Sequence, residues 1–212
     1  MVGVDGSPES LGRREQKKLK TRRVLKDAAL DLALEQGVES LTVEAISEAA
    51  EVAPRTFFNY FSCKEDALVS EAAEAAADLH RMIVERPSAE PPLRALRAVI
   101  GQSDAISVAH ADRERFLARQ RLVQEHPPLM SRQLAQYARV ERTFADALAE
   151  RLGVDPDQDR RPELLAALTV SVLRVAMRRW TTDGQQSLYQ QIDAAFDLLE
   201  RGELTEPGQH DA

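Results

Sequence analysis

Four aromatic rings, an amide and a guanidinium fall between Arg55 and Phe61, inside the stretch EVAPRTFFNYFSCKEDAL that runs from Glu51 to Leu68. The polar members of this group have the chemistry of recognition. The planar fork of Arg55 matches the two acceptors on a guanine edge, and the Asn59 amide matches the acceptor and donor on an adenine edge. Thr56 and Tyr60 carry hydroxyls suited to phosphate oxygens. Lys64 falls in the first turn of the helix that follows, where a cation opposes the helix dipole and an external anion would relieve the conflict. Bond-making chemistry lacks a comparable constellation. The four histidines, His80, His110, His126 and His210, show no metal-ligand spacing, and there is no phosphate-binding glycine loop or nucleophile elbow. The sequence therefore implies neither an enzyme nor a metal or other cofactor. Cys63 is the sole cysteine, which excludes an intrachain disulfide; beside a helix start its thiol keeps a redox role open.

The elements that must position these groups can be read from periodicity and punctuation. Helical character begins near Gln16, and Val24, Ala28 and Leu32 recur at i, i+4, i+8, with Leu25 and Ala29 alongside. Gly37 sits where a left-handed cap would end that helix. Thr42 is placed to cap the short helix VEAISEAA, and Pro54 suits the first position of a second short helix. Phe57 and Phe61, four apart, would anchor the second helix with Val52, leaving Arg55, Thr56, Asn59 and Tyr60 on its other face. Ser62 and Glu65 have capping-box spacing, which predicts a longer helix ending before Pro87. Further helices are expected at about 92–109, 112–125, 127–152, 161–181 and 187–201, separated by proline and glycine breaks. No segment alternates with period two, so the fold class is all-α with no sheet.

Charge points the same way as the motif. The chain of 212 residues has a net charge of −7, yet Arg13 to Lys26 holds eight cations against Glu15, a local net of +7. A basic block at one end of an acidic chain is placed to face an anion such as phosphate. Hydrophobic residues at 43% allow a substantial core, and no run has the roughly 18 apolar residues that a membrane helix needs. The first ten residues, MVGVDGSPES, lack the apolar core of a secretory signal, so the expected setting is cytoplasmic.

Two short helices joined by a tight turn, after a longer helix and a basic arm, form a helix-turn-helix pattern. The segment Thr21–Leu68 resembles the DNA-binding domain of the tetracycline-repressor-like (TetR) family. The resemblance rests on Thr42-Val43, Ile46, Ala49-Ala50, Val52, Thr56-Phe57, Asn59-Tyr60-Phe61, Lys64-Glu65 and Leu68. It implies that Pro54, Arg55 and Asn59 meet base edges, and that Thr42, Thr56, Tyr60 and Lys64 meet phosphates. Three residues depart from the pattern. Glu51 stands where the family most often has Gly, which would strain a positive φ. Ala53 replaces the usual Ser cap of the recognition helix. Phe58 occupies a position that is commonly Tyr; without the hydroxyl it is left to meet a thymine methyl or simply to pack.

With Gly3, Gly6, Pro8 and Gly12 and little to bury, the start of the chain reads as a disordered tail (1–14). The division then runs through a DNA-binding domain (15–66) and, as the resemblance implies, a helical regulatory and dimerisation domain (67–205), with a C-terminal tail (206–212). Relatives hold a ligand between helices of the second domain and dimerise through the last two. Here Leu165, Leu168, Val172, Val175 and Met177 would give the first of those helices two apolar faces, and Leu188, Ile192, Ala195 and Leu199 would serve the second. Phe116, Met130, Tyr137, Phe144, Val172 and Trp180 are the candidate ligand-binding residues. Each alone is better explained as core, but together they would suit a mostly apolar cavity. Arg119, Arg121 or Arg174, if turned inward, would hold an anionic group. The stretch RERFLARQRLVQEHPPL is similar to members responding to fatty acyl thioesters, one class of amphipathic effector. The implied partners are a double-stranded operator, a second copy of the chain and a small-molecule effector, with no membrane. The alternative is an architectural or constitutive DNA binder with no ligand.

Overall fold

The computed structural model describes residues 8–69, 75–103, 112–183 and 185–202, and all regular structure among them is helical. The helices are α1 (Pro8–Gln36), α2 (Val43–Ala49), α3 (Pro54–Phe57), α4 (Lys64–Val69), α5 (Ala75–Val84), α6 (Pro92–Gly101), α7 (Arg113–Glu125), α8 (Pro127–Leu152), α9 (Arg161–Asp183) and α10 (Leu188–Arg201). The first starts at Pro8, eight residues earlier than expected, so the expected tail overlaps it; proline is tolerated in a first helical turn because its missing N–H has no partner there. The remaining tail residues, 1–7 and 206–212, lie outside the described residues, as do 104–109 of the helix expected at 92–109.

The chain divides into two compact units, and the division is not a single cut near residue 66. The first unit takes the described residues up to Val69 together with Ala118–Gln133, the end of α7 and the start of α8. Its core gathers Leu25, Ala29, Ala33, Leu41, Ile46, Phe57, Phe61 and Leu68 with Leu122, Val123 and Leu129. Apolar side chains at the α7–α8 corner are what bring that segment into the unit. In α1 the buried stripe is Leu25, Ala29 and Ala33, one residue round from the expected one, and Val24 is exposed. Gly37 ends α1 at φ 85°, its N–H donating to the Ala33 carbonyl at 3.0 Å, as a left-handed cap does.

The second unit takes the described residues from Ala75 to Leu117 and from Leu134 onward. Its core packs Ile83, Leu96, Phe116, Phe144, Leu148, Val172, Trp180, Leu188, Ile192 and Phe196. Arg97 on α6 reaches α10, donating to Asp193 (2.8 Å) and Asp197 (2.7 Å). Arg151 on α8 donates to the Arg86, Pro87 and Glu90 carbonyls at 2.5, 2.6 and 2.8 Å, fixing the turn after α5. Ser187 and Gln190 close a capping box on α10, and Gly202 ends it at φ 72°.

Candidate nucleic-acid interface

The first short helix starts where expected. The Thr42 side chain accepts from the Ala45 N–H at 3.1 Å, which satisfies one of the orphan donors at the head of α2. Ile46 and Ser47 bury its inner face. The turn that follows is made by Glu51 at φ 54°, the sole non-glycine residue with positive φ among the described residues. The Val52 N–H closes the turn onto the Ser47 carbonyl at 2.9 Å. A glycine would take this conformation freely, and glutamate is strained in it.

The second short helix is briefer than a full recognition helix. α3 spans Pro54–Phe57, and three further residues continue it as tight turns, with Asn59 N–H to Thr56 O at 3.1 Å and Tyr60 N–H to Phe57 O at 2.9 Å. Its cap residue, Ala53, makes no side-chain cap hydrogen bond. Phe57 is 0% and Phe61 4% exposed, with ring centroids 5.3 Å apart, and they seat the segment on the core. Thr42, Pro54, Arg55, Phe58 and Asn59 are exposed, while Thr56 and Tyr60 are half-buried and Tyr60 packs against the same core.

Lys64 has a different setting from the one its sequence position implied. Its ammonium donates to the carbonyls of Leu41 (2.8 Å), Val38 (3.3 Å) and Glu39 (3.4 Å). An ammonium has three donors, so the α1–α2 loop answers the charge that an external anion was expected to meet. The expected Ser62–Glu65 box is likewise replaced. Asp66 accepts from the Ser62 N–H at 3.2 Å through one oxygen and from Arg132 at 2.7 Å through the other. The link ties the exit of the recognition segment to α8. Partial burial pushes the Cys63 thiol up from its ordinary range, which works against thiolate chemistry there.

The basic arm also divides. Lys17, Lys18, Lys20 and Arg23 are exposed on α1, whereas Arg22 is 7% exposed and lies over the Phe61 ring at 4.8 Å. One cation of the arm thus braces the recognition segment from behind by a cation–π contact.

The six ligand-binding candidates do not come together as one set. Phe116, Phe144, Val172 and Trp180 are buried in the second unit's core, with Tyr137 packed against it, and Phe116 meets Trp180 at 5.3 Å. Met130 packs in the first unit instead, because α8 begins there. A groove of about 540 Å³ in the second unit is lined by none of the six; Arg94, Ala98, Gly101, Gln102 and Tyr189 are among its walls. Arg121 and Arg174 are exposed, and Arg119 is half-buried in the first unit. The cation beside this core is Arg113, not anticipated from sequence: it donates to the Trp180 carbonyl at 3.1 Å and lies 5.5 Å from that ring. Its position at the start of a polar-looking helix gave no signal. The α10 residues expected at a dimer interface, Leu188, Ile192, Ala195 and Leu199, serve their own core, while Leu164, Leu168 and Val175 on α9 and Leu198 on α10 are exposed. Among the described residues no helix is long and apolar enough to cross a membrane, and no group of three or more His, Cys, Asp or Glu side chains is placed to hold a metal.

Residues 25–72 match the family described as bacterial regulatory proteins, tetR family, and residues 90–204 match the MftR C-terminal domain. The HTH-type transcriptional regulator TcmR of Streptomyces glaucescens is 35% identical over 195 residues, 90% of this chain and 86% of that protein. Among solved structures, FadR of Thermus thermophilus, a TetR family transcriptional repressor in complex with lauroyl-CoA, is 21% identical with a TM-score of 0.54. That match covers 90% of this chain and 99% of the other. SmeT of Stenotrophomonas maltophilia in its triclosan complex is 19% identical with a TM-score of 0.54, covering 91% and 98%.

Proposed function

The chain belongs to the TetR family of transcriptional regulators, and we propose that it is a cytoplasmic homodimeric repressor released from a palindromic operator by a small, largely apolar effector. The observation that carries the DNA-reading part is the division of one segment between core and surface. Phe57 and Phe61 are buried, while Arg55 just before them and Asn59 between them stand exposed with bidentate hydrogen-bonding edges. Two such segments in one dimer would enter successive major grooves about one helical turn apart. Selection of bound sequences from random duplexes tests this reading. A two-fold symmetric site should emerge, and Arg55→Ala should weaken it by about 1–3 kcal/mol with little effect on random DNA. Equal losses on both would reduce Arg55 to a phosphate contact.

The dimer reading is supported by the apolar stripe of α9, where Leu164 and Leu168 are 60% and 42% exposed, and by Leu198, which is exposed on α10. Burying such a stripe against its copy is the symmetric solution open to an isologous interface. Sedimentation of Leu164→Glu/Leu168→Glu should give monomers where the parent chain gives dimers.

The effector reading draws on the lauroyl-CoA of FadR and the triclosan of SmeT, both held by proteins of this fold. An effector can release DNA only by as much as it prefers the released arrangement. A ligand-independent DNA binder is the second reading, and the close packing of Phe116, Phe144 and Trp180 favours it. Operator binding titrated with lauroyl-CoA and with triclosan separates the two: an affinity that neither compound moves favours the ligand-independent protein.

A further inference from the structure

We propose that Phe58 reads a thymine methyl group in the major groove and so sets one specified T in each operator half-site. The inference rests on the DNA-reading role proposed above and names one element of its specificity. Phe58 is 58% exposed, although its neighbour Phe57 is fully buried. Packing, one of the two roles open to this residue from sequence, therefore does not account for it. The ring is nonetheless braced. Its centroid lies 5.6 Å from that of Phe57 in an edge-on contact at 85°, and Phe57 is itself held by Phe61. The backbone at Phe58 is regular, φ −67° and ψ −12°, so no strain turns the ring outward.

A phenyl ring has no hydrogen-bond donor or acceptor in its plane to offer a phosphate or a polar base edge. On the major-groove edges of the four base pairs the apolar feature is the thymine C5 methyl. Exposed Arg55 and Asn59 flank the ring along the chain and supply the polar contacts, which leaves the ring to cover the methyl between them. Such a contact selects T over C by shape and hydrophobicity. It should also distinguish thymine from uracil, which differs from it by the methyl alone.

The test uses the full chain and a duplex selected from random DNA, with each thymine replaced in turn by deoxyuridine. Losing one buried methyl corresponds to about a fourfold loss of affinity per half-site, or about fifteenfold when both half-sites are changed. The parent protein should show that loss at one thymine in each half-site. Phe58→Ala, with its helical circular dichroism and melting temperature matching the parent, should bind the thymine and deoxyuridine duplexes equally. Sequence-specific binding with no thymine sensitive to methyl removal would overturn the assignment while leaving the DNA-reading role intact. A Phe58→Ala protein as sensitive as the parent at the same thymine would overturn it as well. Failure of any sequence to be selected would overturn both this assignment and the reading beneath it.

Discussion

Lys64 illustrates how one side chain's partners redirect its role. Its three carbonyl contacts hold the loop between α1 and α2, and Leu41, which accepts the shortest, immediately precedes the Thr42 cap. Lys64→Met should leave three carbonyls without their cation and cost about 2 kcal/mol, since hydrogen bonds to charged groups contribute about 1.5–3 kcal/mol and this one is half-exposed. A lowered melting temperature, with selected and random DNA weakened by the same factor, is the expected result. Glu51 and Ala53 are the opposite case, residues whose replacement should help. Glu51→Gly removes a left-handed strain of about 1 kcal/mol, and Ala53→Ser adds a missing cap worth about 1 kcal/mol. Thermal melts of the two variants, singly and combined, check both; a fall in either would show that the turn relaxes on its own.

The helices distribute these residues by a rule that sequence position alone hides. The α7–α8 corner, 60 residues downstream of the recognition segment, completes the core beneath it through Leu122, Val123 and Leu129. Arg132 adds a polar tie at the same corner by holding Asp66, whose other oxygen fixes the Ser62 N–H. A fragment ending at Arg86 contains the whole helix-turn-helix but none of these four side chains. It should expose Leu25, Phe57 and Leu68 in part, and its circular dichroism should show reduced helix with no cooperative melt. A cooperative transition matching that of the full chain would mean that the corner is dispensable to the core.

Across the whole molecule, affinity for DNA must work against a net charge of −7 per chain. That places the electrostatic attraction on a small set of exposed cations, and Lys17, Lys18 and Lys20 on α1 are prominent among them. Replacing all three with alanine should flatten the slope of log K against log salt by up to about 3 per chain, at roughly 0.9 for each phosphate no longer neutralised. Specific and random DNA should be affected together, because phosphate contacts carry no base information. An unchanged slope would assign those lysines to solvent. Arg22 is not part of that set, since its guanidinium is committed to the Phe61 ring.

Local chemistry was legible from the sequence wherever a residue's neighbours in the chain decide its state. The Thr42 cap, the Gly37 stop, the Pro54 start and the Phe57–Phe61 anchor all depend on hydrogen bonds or spacings within four residues, and each is where the pattern put it. The strained turn at Glu51 was legible only through the family resemblance, which puts glycine at that position, and its φ of 54° is what glycine takes freely. Tertiary structure decided the rest. Only packing assigns Met130 to the first unit, turns Lys64 onto carbonyls, buries Arg22 and sets Arg113 beside Trp180, because in each case the partner lies at least 23 residues away or on another helix. Periodicity reports that a side chain faces something. What it faces is fixed when helices distant in sequence close around the same core.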